Sequence, residues 1–146
     1  MVVGSAFHAG ALYADGRDMG CDVAVARSFL QRALGLLARP PLTPRQALWI
    51  TRCGSVHTVG MRYAIDVVFL SRSGQVLRVA HAVPPLRFRL CRGAAAVVEL
   101  RAGAAHALGI LAGQVLAVVP PDGVTRTSAA SSPGGGAASA ATRFIV

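Results

Sequence analysis

The apolar pattern is densest over Ile65-Asp66-Val67-Val68-Phe69-Leu70. Both alternating sets, Ile65/Val67/Phe69 and Asp66/Val68/Leu70, are mostly apolar, which predicts a strand covered on both faces. Gln75 to Val83 follows after Ser71-Arg72-Ser73-Gly74, so the two segments are expected to form a hairpin. Further short apolar runs predict strands over Ala11–Ala14, Asp22–Ala26, Ala47–Thr51, Ala95–Leu100 and Gln114–Val119. Asp15-Gly16 marks a turn. Leu30, Leu34 and Leu37 share one helical face after a capping Ser28, and Pro40-Pro41 end that helix. Ala102 to Leu108 predicts a second, short helix. Many short strands and one clear helix indicate a mainly β (α+β) domain, barrel-like in outline, spanning about residues 1–120.

The segment from Gly123 to Thr142 is rich in Ser, Ala and Gly and is expected to be a flexible tail covering 121–146. The tail ends in Arg143-Phe144-Ile145-Val146. At 146 residues the chain suits one domain. Its hydrophobic fraction of 53% is high, yet no apolar run approaches the ~20 residues of a membrane span. The first twenty residues lack a basic start and a sustained apolar stretch, so a cytoplasmic location is expected. The net charge is +9 and all fifteen basic residues are Arg. Without Lys, that charge reflects composition as much as a polyanionic partner. The three cysteines, Cys21, Cys53 and Cys91, are an odd number and widely spaced, which argues against a disulfide framework.

The candidate chemistry is concentrated from Cys53 to Leu70. Asp66 lies in an apolar strand, and Glu99 lies in the apolar run Ala94–Leu100. A carboxylate in such a place must accept hydrogen bonds, pair with a cation or take up a proton. Arg62 is the nearest cation to Asp66, and Arg101, Arg92 or Arg62 stand near enough in sequence to answer Glu99. The bland alternative is that both carboxylates fix loops by accepting backbone N–H groups. Cys53, His57 and Met61 recur every fourth residue, with Gly54 and Gly60 permitting sharp turns between them. Thiolate, imidazole and thioether are soft-metal ligands, and a thiol beside a base is also a nucleophile. No paired Cys or His motif supports a structural metal, so neither a metal nor a cofactor is assigned. His81 and His106 are singletons. Between Val67 and Val98 there is no acidic residue, while Arg72, Arg78, Arg87, Arg89 and Arg92 all fall there. Arg87-Phe88-Arg89 interleaves an aromatic with two cations, a weak nucleic-acid-binding pattern.

Several blocks together resemble the family called domain of unknown function 192. Arg32-Ala33-Leu34-Gly35-Leu36-Leu37 resembles its opening signature, with Leu37 in place of a methionine. Cys53–Thr58, Gly60-Met61-Arg62 and Ile65–Leu70 resemble its central block. Val98-Glu99-Leu100, Ala102-Gly103 and Gly109-Ile110-x-x-Gly113 resemble its closing block, with Gln114 where many relatives carry Asp. The resemblance runs from about Asp22 to Val119. It implies a small, mainly β domain with no established activity and no catalytic residues to carry over.

Three functions follow as alternatives. The first is a non-catalytic domain that binds a small molecule or a protein through Cys53, His57, Met61, Arg62, Asp66 and Glu99. The second is a small hydrolase or transferase using Cys53 or His57, which requires thiol and imidazole near hydrogen-bond distance. The third is an Arg-rich nucleic-acid-binding protein using Arg87, Phe88 and Arg89.

Overall fold

A computed structural model describes residues 8–26, 35–38 and 40–121. Within them the chain forms nine strands: β1 (His8–Ala14), β2 (Arg17–Ala26), β3 (Gln46–Thr51), β4 (Ser55–His57), β5 (Ile65–Leu70), β6 (Val76–Val83), β7 (Phe88–Leu90), β8 (Ala96–Arg101) and β9 (Leu116–Val119). One short α-helix, α1 (Ala104–Ala107), precedes β9, and Gly35–Ala38 make a single 3₁₀ turn. Residues 27–34, where most of the expected first helix falls, and the tail beyond residue 121 lie outside the described residues.

Seven strands form one sheet in the order β6-β5-β8-β3-β2-β1-β9, and β4 pairs only with β7 in a separate two-stranded ribbon. All pairings are antiparallel except β2 with β3. Every residue of β5 is buried, as the two apolar sets of its sequence require. One face of the central strands packs Val68, Leu70, Val98 and Leu100 against Leu12, Val23, Ala105 and Ile110. The other packs Ile65, Val67, Phe69 and Val97 against Leu36, Leu42 and Val56. Burying one such side chain contributes about 1.5–3 kcal/mol, so β5 and β8 hold both halves of the core to a common wall. The β1–β2 turn uses Asp15 and Gly16, both at positive φ, the combination that suits the twist of a two-residue hairpin.

The structure is mainly β, but the sheet does not close into a barrel. Its edge strands, β6 and β9, meet only at an isolated bridge between Gln75 and Val115. β9 is four residues long and pairs with β1 through Ala11–Ala14, and its other edge forms no ladder with β6 beyond that bridge. The meeting point is tight. Gly74, at φ +82°, donates its N–H to Ser71 and accepts from Leu116 N at 2.9 Å. A Cβ there would stand 2.6 Å from the Leu116 carbonyl oxygen. Gly16 has a similar φ of +79° but open space around it.

Gly74→Ala is therefore expected to destabilise the fold by about 1–3 kcal/mol, with Gly16→Ala costing clearly less. Urea denaturation of the two variants checks the ranking. Equal losses would show that the β6–β9 contact contributes little.

Candidate functional site

Asp66 and Glu99 occupy adjacent cross-strand positions yet face opposite ways. β5 and β8 pair antiparallel with Asp66 opposite Leu100 and Val67 opposite Glu99. Side chains alternate between faces, so the two carboxylates point into different halves of the core. The single site expected to gather both of them does not form.

Asp66 is wholly buried, and both of its oxygens accept hydrogen bonds. Oδ1 accepts the N–H of Ala82 at 2.8 Å. Oδ2 accepts the N–H groups of Gly103 and Ala105, each at 3.0 Å. Ala82 has φ +47° beside an irregularity in the β5–β6 register, and Gly103 has φ +88° at the N-cap of α1. The carboxylate thus pins a backbone kink and a helix start that no local pairing would satisfy. Arg62 is exposed and plays no part in this arrangement.

Glu99 has the opposite character. It is 5% exposed and lies in a row across the sheet formed by Ala24, Leu48, Glu99, Val67 and Ala80. Its Oε2 is buried without a hydrogen-bond partner. Burial raises its pKa from the ordinary 4.5 to about 7. Arg101, two residues on along β8, is exposed and leaves Oε2 unanswered. Arg101 instead lines an open depression with Pro41, Leu42, Tyr63, Ala64 and Ala102, with a volume of about 480 Å³. Tyr63 is in the wall of that depression. Its hydroxyl pKa is raised by its own burial and by the charge of Glu99.

The loop from Cys53 to Arg62 is held by a residue that the sequence did not single out. Thr58 is buried, and its Oγ1 donates to Pro84 O at 2.7 Å and accepts from Arg87 N at 2.9 Å. Its backbone N donates to Arg87 O and its carbonyl accepts from Leu86 N and Met61 N. This network locks the loop against residues 84–87 and sends its candidates to different places. The Cys53 thiol donates to Ser55 O at 2.9 Å, and Cys53 and Met61 pack against the second core cluster. His57 stands exposed on β4 opposite Phe88, and Arg62 is exposed. Among the described residues no three His, Cys, Asp or Glu side chains gather as a metal site. Cys21 is buried, with its thiol pushed up to about 11 chiefly by burial, and is unsuited to nucleophilic chemistry. Of the basic stretch, Arg87 and Phe88 are exposed, while Arg89 is half-buried on the same side of the ribbon as Val56. Gln114, at the position where many relatives of the resembled family carry Asp, accepts from Leu111 N at 2.9 Å and donates to Gly109 O at 3.2 Å.

Residues 11–118 match the family model of domain of unknown function 192, described as "Uncharacterized ACR". Two solved structures share the fold. One is a protein of unknown function from Novosphingobium aromaticivorans DSM 12444, with TM-score 0.70 and 20% identity over 80% of this chain and 90% of the other. The second, from Sinorhizobium meliloti 1021, is named a "putative transcription regulator", with TM-score 0.67 and 23% identity over 79% and 98%. No curated protein matches the sequence. At these identities the likeness concerns the fold alone.

Removing the Asp66 carboxylate strands three backbone donors. Asp66→Ala is expected to cost about 3–5 kcal/mol, with Asp66→Asn intermediate because one acceptor oxygen survives. Equilibrium denaturation reads this directly, and an Asp66→Ala loss below about 1 kcal/mol would refute the tie.

Proposed function

The chain belongs to the domain of unknown function 192 family, and from that premise we propose that it is a non-catalytic module binding a small molecule at the Glu99–Tyr63–Arg101 end of the sheet. The observation that carries this is the unpartnered Oε2 of Glu99. A buried carboxyl oxygen without a partner costs roughly 1–3 kcal/mol or more, and such a cost persists where a ligand supplies the missing bond. The adjoining depression falls in the size range of small-molecule sites, about 300–1,000 Å³, and its walls are mainly apolar with two polar groups at hand.

The residues define the ligand's chemistry. A hydroxyl or amine would satisfy Glu99, an acidic group would meet the exposed Arg101 guanidinium, and a small apolar body would rest on Pro41 and Leu42. Hydroxy acids and amino acids carry this combination. Of the residues expected from the sequence, this reading keeps Glu99 and gives Asp66 a structural role.

Two measurements test the reading. In the folded state Glu99 keeps its proton to about pH 7, while the unfolded chain releases it near 4.5. Between these values the folded state binds more protons, so stability falls as pH rises from about 4.5 and the full penalty is reached above about 7. Glu99→Gln removes the ionisation penalty but leaves a buried amide, and is expected to be more stable than the wild type at pH 8 by roughly 1–3 kcal/mol, with a flatter pH profile. Ligand-observed NMR with a panel of hydroxy acids and amino acids is expected to show binding that Arg101→Ala and Glu99→Gln weaken. Binding indifferent to both substitutions, or none across the panel, counts against the site.

A further inference from the structure

The β4–β7 ribbon carries apolar side chains that the core does not use. Leu86 is 69% exposed, Phe88 59%, Leu90 58% and Val59 54%. Alternation along β7 puts Phe88 and Leu90 on one side of the ribbon, and their partners His57 and Ser55 are exposed with them. Leu86 N donates to Thr58 O, which brings Leu86 beside Val59 at the end of the same ribbon. The residues are held in place and not frayed. Thr58 clamps residues 84–87 through four bonds, and Leu86 is kept at φ +60°, a backbone state that a branched side chain rarely adopts. The charge around them has one sign. Arg62, Arg87 and Arg92 are exposed, and from Thr51 to Val98 the acidic residue Asp66 is wholly buried.

We propose that this ribbon is a peripheral binding surface for anionic lipid membranes. Leu86, Phe88, Leu90 and Val59 enter the boundary between headgroups and acyl chains, and Arg62, Arg87 and Arg92 meet the acidic headgroups. Apolar anchoring and electrostatic attraction act together in such binding, and either one alone is weak. The side chains favour lipid over nucleic acid. Sequence-tolerant strand binding stacks successive bases on aromatic rings, and this patch holds one aromatic among three aliphatics. Aliphatic side chains give a base no stacking partner but partition readily into acyl chains.

Co-sedimentation of the full chain with vesicles tests the surface. Binding is expected to vesicles of phosphatidylcholine with phosphatidylglycerol, to be absent with phosphatidylcholine alone, and to weaken with salt. The triple substitution Leu86→Ser, Phe88→Ser, Leu90→Ser is expected to weaken binding by about tenfold or more. These side chains are exposed, so an unchanged circular dichroism spectrum separates lost binding from lost folding. Should the triple variant misfold, Arg87→Glu with Arg92→Glu provides the second arm, again with about tenfold weaker binding. Equal binding by the wild type and the folded variants would overturn the proposal. So would capture of single-stranded oligonucleotides, lost in Phe88→Ser, with no affinity for either vesicle.

Discussion

Three backbone N–H groups from two separate elements converge on the buried carboxylate of Asp66. Each belongs to a stretch that cannot satisfy itself. Ala82 sits in a left-handed kink in β6, and Gly103 and Ala105 open a helix of four residues. An isolated helix of that length has no stability of its own. Its position depends on an acceptor supplied from β5. Because Ala104 and Ala105 then pack beneath Leu100 and Ile110, one carboxylate couples the hairpin edge, the central strands and the approach to β9.

The second buried carboxylate shows what such a group does when the backbone does not come to meet it. Asp66 and Glu99 differ by one position in the β5–β8 register, and that single step puts them on opposite faces. On the Asp66 face a kink and a helix start aim donors inward. On the Glu99 face the neighbours across the sheet are Leu48 and Val67, which offer none. The first carboxylate is thereby part of the framework. The second is a destabilising feature whose charge also acts on Tyr63, in the wall of the depression that Arg101 lines. That asymmetry is the physical basis for placing a site at one and not the other.

Much of the framework was legible in the amino-acid order. The two-sided apolar run of β5, the β5–β6 hairpin, the Asp15-Gly16 turn and the short helix before β9 all follow from local pattern and turn chemistry. The backbone-accepting role of Asp66 was one of the alternatives that its apolar setting allowed. What the order could not disclose was register. When both faces of a strand are apolar, alternation no longer says which way a given residue points, so Asp66 and Glu99 could not be assigned to faces before the β5–β8 pairing was known. The three-residue strands β4 and β7 carry too little pattern to be seen, and with them the role of Thr58 was hidden. Many short strands suggested a barrel-like outline, but the sheet stays open, with β6 and β9 joined at one bridge.

The proposed site depends on Glu99 being buried without compensation. A ¹³C NMR titration of its side-chain carboxyl in the folded protein measures that directly. The account predicts a midpoint near 7 in the wild type, raised from the ordinary 4.5 by burial. A midpoint at the ordinary value would mean that the carboxyl is solvated or paired, and would contradict the claim that this end of the sheet holds an unsatisfied acceptor.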